Sequence, residues 1–384
     1  MTSRQRVRAA FQHREPDRTP IFEREIKPPT DSVVLGRSAV HPYNWPEYMR
    51  TWAVEGWESV MTKSADDEFE LARRLGFDMI RLSLNPSRDT PPPERIDDVT
   101  YREAGEVRRY HAESGVVENL TAREHSAEDD EAHFRKGLEK TPTYDDVPDD
   151  QLFVARRIRA LAEREGLDLA YYASAYSIPV AALPAFALEW FVTEPELIAR
   201  YYDMQSEHAI RFGTIMAHEG CEVIGLGGDF AGDKGPVISP RAYREHVVPH
   251  IRRQSDALHR LGVWTTNTTD GYLWDVLDDF LAGAGVDGYG EIDVAAGMDL
   301  ARLKREQGEF TFLGNLDIRH VLCSGTEEDA RREMIRCIEE GWGDGGHVIM
   351  TSNVVHEDVR PELYLAAIDA YREYFGLERL REIP

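Results

Sequence analysis

Short apolar runs recur along the chain, separated by longer stretches whose apolar positions return every three or four residues. The short runs lie at 77–84, 167–173, 221–226, 263–267, 286–290, 310–313 and 347–350, and 19–22 supplies an eighth. Runs of this length read as buried strands, and the segments at 149–165, 194–219, 240–261 and 326–341 read as amphipathic helices. Ser239 precedes Pro240 as N-cap and first-turn residue, while Gly262 and Gly341 stand where helices end. Eight strands alternating with helices, without a Gly/Ser linker or a break in composition, favour one α/β domain over 1–384, a single (β/α)8 TIM barrel, over two domains; a doubly wound sheet is the alternative, since pattern alone does not close a barrel.

The rhythm breaks at about 86–150. This segment opens on Pro91-Pro-Pro93 and continues through Val99-Thr-Tyr-Arg-Glu, Glu106-Val-Arg-Arg-Tyr-His-Ala and Gly115-Val-Val-Glu-Asn-Leu, with Ala-Gly and Ser-Gly turns between them. That alternation predicts a β-rich insertion after the second strand. The acidic run at 128–131 reads as a solvated loop.

Composition narrows the partners. The 384 residues carry 70 Asp+Glu against 45 Lys+Arg, a formal charge of −25. Nucleic acid and anionic membrane surfaces both require a basic face, so neither is expected. The N-terminus has no apolar core of a secretory signal, and no run approaches a membrane span. Cys221, Cys323 and Cys337 form no CxxC pair, so neither a disulfide framework nor a zinc ribbon is expected. Cytoplasmic localisation follows, and a homodimer is allowed.

The chemistry is carried by residues at predicted strand ends, where barrel active sites gather. Arg81, Asn85, Tyr171, Tyr176, Asp229, Asp270, Glu291, Asp293, Asn315, Asp317, Asn353 and His356 all fall there. Each also has a structural reading: Asp270-Gly271 as a turn, Asp317 as a helix N-cap, His356 as a loop histidine, the tyrosines as packing. Converging carboxylates would raise at least one pKa and supply a proton donor near neutrality. The glycine-rich stretch 225–232 would let backbone approach a ligand, with Asp229 at its centre. Gly341-Trp-Gly-Asp-Gly-Gly346 matches GxGxxG in the wrong order for a dinucleotide site, since it leaves a helix and enters a strand.

At these residues the chain resembles the uroporphyrinogen decarboxylase superfamily, which includes corrinoid-linked methyltransferases. The likeness runs from Arg4-Gln-Arg-Val-Arg-Ala-Ala-Phe through Val237-Ile-Ser-Pro-Arg, Thr269-Asp270-Gly271, Glu291 and Leu313-Gly-Asn-Leu-Asp317 to Pro361-Glu362. It implies a barrel enzyme with its site at the strand C-termini. The departures are specific. Asn85 stands where porphyrinogen decarboxylases place an Asp, and Asn353 where they place a His. Phe22-Glu-Arg-Glu-Ile-Lys27 keeps one Arg between two acids where they have an arginine-rich loop. Zinc-dependent relatives use an HxC pair and a later Cys; here the positions read Thr268-Thr-Asp270 and Asn353, which disfavours zinc there, and no metal ligand is assigned.

The expected function is transfer of a methyl or one-carbon group from a small organic substrate to an external acceptor, a corrinoid (carried by a corrinoid protein) or tetrahydrofolate. Asp229, Asp270 and Glu291 are the candidate catalytic groups. Arg24, Arg81, Asn85, Tyr171, Tyr176, Asp317, Asn353 and His356 are candidate substrate contacts. The alternatives are a decarboxylase or lyase, with Arg24 or Arg81 holding a carboxylate, and a non-catalytic binding barrel.

Overall fold

In a strand, successive side chains face opposite ways, and this alternation sorts the apolar residues here onto two sides of one curled parallel sheet in a mixed α/β fold. The computed structural model describes residues 1–121, 127–139, 147–341 and 344–380. Seven strands pair in chain order: Met79–Arg81, Ala170–Ser174, Val223–Gly227, Trp264–Thr268, Gly288–Gly290, Thr311–Leu313 and His347–Val348. Each overlaps a predicted run. One face packs Phe22, Met79, Ala170, Tyr172, Val223, Leu313 and Val348 into a cluster, against which helix Ser3–Phe11 sets Val7, Ala10 and Phe11. The other face meets the helices in the main core.

Residues 20–22 bond to both edges of this sheet. Asp78 N–H donates to the Ile21 carbonyl (2.8 Å), Ile349 N–H to the Pro20 carbonyl (2.8 Å) and Phe22 N–H to the Ile349 carbonyl (3.0 Å). The fully buried Asp78 carboxylate fastens the segment. It accepts the Ile21 N–H (3.1 Å), both terminal nitrogens of Arg18 (2.6 and 2.8 Å) and one of Arg6 (3.0 Å).

Between the first two parallel strands lies a four-stranded antiparallel sheet of Glu94–Arg95, Thr100–Glu103, Glu106–His111 and Val116–Asn119. Its hairpin at Gly115 rests against the Glu357 side chain, beyond the last parallel strand.

Some local expectations change. The acidic run at 128–131 lies in helix Ala127–Glu139, where carboxylates in the first turn complement the helix dipole. The stretch 240–261 is two helices, Pro240–His246 and Val248–His259, with Pro249 early in the second. Ser239 caps the first as expected, accepting the Ala242 N–H (3.1 Å). Gly262 takes a left-handed φ of +77°, whereas Gly341 is the last residue of its helix, and a Cβ there would collide with the His347 ring. Residues 342–343 of the GxGxxG match lie outside the described residues.

Replacing Asp78 with Ala would take the carboxylate from the Arg18 guanidinium, 12% exposed, and leave it the Tyr371 hydroxyl, while Arg6, 13% exposed, keeps Asp17. The Asp78→Ala variant should lose about 3–5 kcal/mol in urea unfolding; a loss below about 1 kcal/mol would show that the carboxylate does not hold the segment.

Candidate active site

The C-terminal ends of the parallel strands deliver the polar loops to one region. Past Trp264–Thr268, the chain turns at Gly271 (φ +89°) and leaves Asp270 half-buried. Asp270 lines a cavity of about 460 Å³ together with Lys27, Asp293, Arg319, Cys323, Asn353 and His356. Asn353 Nδ2 donates to Asp270 Oδ2 (3.0 Å). Burial, joined by the charges of Asp229 and Asp293, pushes the Asp270 carboxyl up to about 6 despite the Asn353 hydrogen bond.

Glu291 follows Gly288–Gly290 in a left-handed conformation (φ +69°), which a non-glycine residue adopts only where its surroundings enforce it. Its N–H donates to the Leu313 carbonyl (3.0 Å) and its carboxylate pairs with Arg24. Burial, with Asp229 and Asp270 nearby, raises Glu291 to about 7 against the pull of Arg24. Asp229 is exposed, and its N–H donates to the Tyr176 hydroxyl (2.7 Å). The three predicted carboxyls therefore sense one another, with Arg24, Tyr176 and Asn353 attached to the group.

His356 lines the same cavity, with Nε2 4.0 Å from Cys323 Sγ. Its Nδ1 accepts the Asp358 N–H (3.2 Å), so in the neutral ring Nε2 carries the proton.

Four expected substrate contacts are engaged elsewhere. Asn85 is saturated by backbone: Nδ2 donates to the Pro86 and Asp150 carbonyls (2.9 and 2.8 Å) and Oδ1 accepts the Val154 N–H (3.0 Å). Tyr171 lies on the outer face of the sheet beneath the Arg4 guanidinium, because alternation turns Tyr172 inward instead. Asp317 takes its structural reading, capping the turn Ile318–Leu322 by accepting the His320 N–H (3.0 Å). Arg81 pairs with Glu25 over the Tyr43 ring, beside a separate cavity of about 50 Å³.

The glycine-rich stretch also admits protein rather than ligand. A Cβ at Gly228 (φ +152°) would lie 2.7 Å from the Pro179 backbone nitrogen, and one at Gly225 would overlap the Tyr172 hydroxyl.

The sequence places Asp293 at a strand end without a role, and it gives no sign of Arg319 or Lys27 as site residues. Asp293 is 4% exposed and accepts N–H groups from Ala296 (3.1 Å) and Gly271 (3.3 Å), so it shapes the turn that presents Asp270. It stands two residues beyond Glu291, at the same predicted strand end. Arg319 comes from a different loop and bridges Asp233 and Asp293.

The metal position implied by the resemblance does not fit zinc. Thr268, Asp270 and Asn353 offer no thiolate or imidazole, and Asn353 points an N–H at Asp270 rather than a lone pair into the cavity. Among the described residues, no group of three or more His, Cys, Asp or Glu is placed to hold a metal ion.

Comparisons with known proteins agree with this architecture. A methyltransferase from Methanosarcina mazei superposes on 98% of this chain and 99% of its own with a TM-score of 0.65, at 18% identity, a likeness of fold. A uroporphyrinogen decarboxylase from Syntrophotalea carbinolica is 27% identical over 168 residues, which cover 44% of this chain and 46% of that protein, so the match spans less than half of either. Residues 181–374, half of the chain, match the uroporphyrinogen decarboxylase (URO-D) family and contain Asp229, Asp270, Glu291 and Asn353. The chain belongs to the URO-D family.

Proposed function

We propose that the chain is a single (β/α)8 barrel, with residues 20–22 as its eighth strand and an insertion at about 86–150. Its reaction is transfer of a methyl or one-carbon group from a small organic substrate to an external corrinoid or tetrahydrofolate. The observation that carries this reading is Asp270, a carboxyl raised to about 6, facing a cavity and oriented by Asn353. Methyl leaves an ether oxygen or an amine readily only when that atom gains a proton. The acceptor attacks the methyl carbon, the C–O or C–N bond breaks, and its electron pair takes the proton of neutral Asp270. Solvent then reprotonates Asp270. Asn353 keeps the donor oxygen in place, and Asp293 holds the backbone beneath it. The chain works in the cytoplasm, with the acceptor reaching the cavity on a corrinoid carrier or as a free pterin; a homodimer is compatible with this arrangement.

Charge favours this over decarboxylation of a small carboxylated substrate. A carboxylate would need an unspent cation, but Arg24 pairs with Glu291, Arg81 with Glu25, Arg319 with Asp233 and Asp293, and Lys27 faces Glu357 at 3.8 Å. The non-catalytic reading would not call for a carboxyl raised towards neutrality and held by Asn353 in that cavity.

Purified protein offered methoxyaromatics and methylamines with reduced corrinoid or tetrahydrofolate should methylate the acceptor. Release of carbon dioxide from small aromatic acids without methyl transfer would favour the decarboxylase instead. Asp270→Asn should lower kcat by about 100-fold or more. The wild-type rate should fall as pH rises through about 6, where Asp270 gives up its proton, and the residual rate of the variant should lack that limb.

The raised pKa also has a stability sign. Folding favours neutral Asp270, so stability is present at low pH and declines as pH rises from the unfolded value near 3.8 through about 6. Asp270→Asn should match wild type at pH 4 and exceed it at pH 8 by about 1–2 kcal/mol, discounted for partial exposure. Lower stability at pH 8 would contradict the shift.

A further inference from the structure

Glu23 lies beside the predicted catalytic groups without being one of them, and its partners can be counted by protons. It is 7% exposed. Oε1 accepts the Thr351 N–H (3.1 Å), and Oε2 lies 2.6 Å from the Thr351 hydroxyl oxygen. The same hydroxyl is in close contact with the carbonyl oxygen of Asn353. A hydroxyl has one proton, and a carbonyl oxygen can only accept. If Glu23 were ionised, both oxygens flanking the hydroxyl would be acceptors, and the two close contacts would have to divide one hydrogen. Each contact has a hydrogen of its own only when Glu23 carries a proton, donates it to Thr351, and Thr351 in turn donates to Asn353.

We propose that Glu23 is a neutral carboxylic acid at neutral pH and a positioning residue, holding the Asn353 loop through a hydroxyl relay. Its protonation state is independent of the reaction. Its positioning role rests on the proposed function, because Asn353 is the residue that orients Asp270.

The surroundings agree. Glu25 and Glu68 share a small cavity with Glu23, and the charge of nearby Glu291 opposes a further negative charge there, against the pull of Arg24. The neighbouring guanidiniums of Arg24 and Arg81 are engaged by Glu291 and Glu25. His41 lies 3.0 Å from Asp31 Oδ2, and Tyr43 lines the same cavity. From helix Pro361–Tyr374, the buried Tyr364 contributes a phenol held above its ordinary value by burial and by Glu23. Burial likewise pushes Glu23 to about 8.

Glu23→Gln provides the decisive comparison. Its amide N–H can donate to Thr351 Oγ1 and its carbonyl can accept the Thr351 N–H, with nothing to titrate. Infrared difference spectra of wild type minus Glu23→Gln at pH 7, in deuterated buffer, should contain the C=O band of a protonated carboxyl. The band should vanish as pH rises through about 8. A carboxylate band in its place at pH 7 would overturn the proposal. No substrate is needed, so this result stands or falls apart from the reaction.

The positioning role is read with Thr351→Val. Freed from the relay, Asn353 should weaken its hydrogen bond to Asp270. The alkaline limb of the rate should then move upward by about half a pH unit. A lowered rate with an unmoved limb would show that Thr351 is merely structural.

Discussion

The site depends on a buried carboxylate that touches none of its chemistry. Asp78 sits at the start of the first parallel strand, at zero exposure, and gathers Arg6, Arg18 and the Ile21 N–H. Burying a carboxylate is costly unless cations and N–H donors surround it, and here the N-terminal segment supplies both. The same segment then runs alongside Ile349 and delivers Glu23, Arg24, Glu25 and Lys27 to the strand ends. Arg24 meets Glu291, Glu23 meets Thr351, and Lys27 reaches the cavity. Further along, Lys27 N–H donates to the Val355 carbonyl (2.8 Å) and Val355 N–H to the Glu25 carbonyl (3.1 Å), which continues the fastening begun at residues 20–22.

Electrostatics then sorts the carboxyls by role. Glu291 is buried against a guanidinium, Asp293 is spent on backbone N–H groups, and Asp229 is exposed. Asp270 combines partial burial, an orienting amide and access to a cavity. Those three conditions suit a group that must hold a proton and then release it to a bound molecule. The small antiparallel sheet adds a wall: Tyr110 and Val117 line a third cavity, of about 230 Å³, that shares Lys27 and Glu357 with the loops of the parallel sheet.

Much of the framework was legible because parallel strands are short apolar runs and their order follows the chain. The carboxyls at 229, 270 and 291 were legible because they stand directly after such runs. Tyr171 and Tyr172 were harder to separate, since a one-residue difference in phase exchanges the inner and outer faces, and an apolar run lacks the polar alternation that would reveal it. Asn85 and Asp317 looked available because a sequence does not show which backbone groups will need capping. Arg319 and the Thr351 relay join loops far apart in the chain, and no local spacing announces them. The acidic run at 128–131 read as a loop because its charge outweighed its place at a helix start, where charge of that sign is favourable.

The central claim is that Asp270 is a carboxyl tuned towards neutrality by its neighbours and steadied by Asn353. Carbon NMR of protein labelled at aspartate Cγ, with Asp270→Asn used to assign the resonance, tests it directly. The Asp270 signal should titrate near 6 in wild type and at higher pH in Asn353→Ala, which removes the hydrogen bond to the charged form. Titration near the ordinary value of 3.8, unmoved by Asn353→Ala, would contradict it.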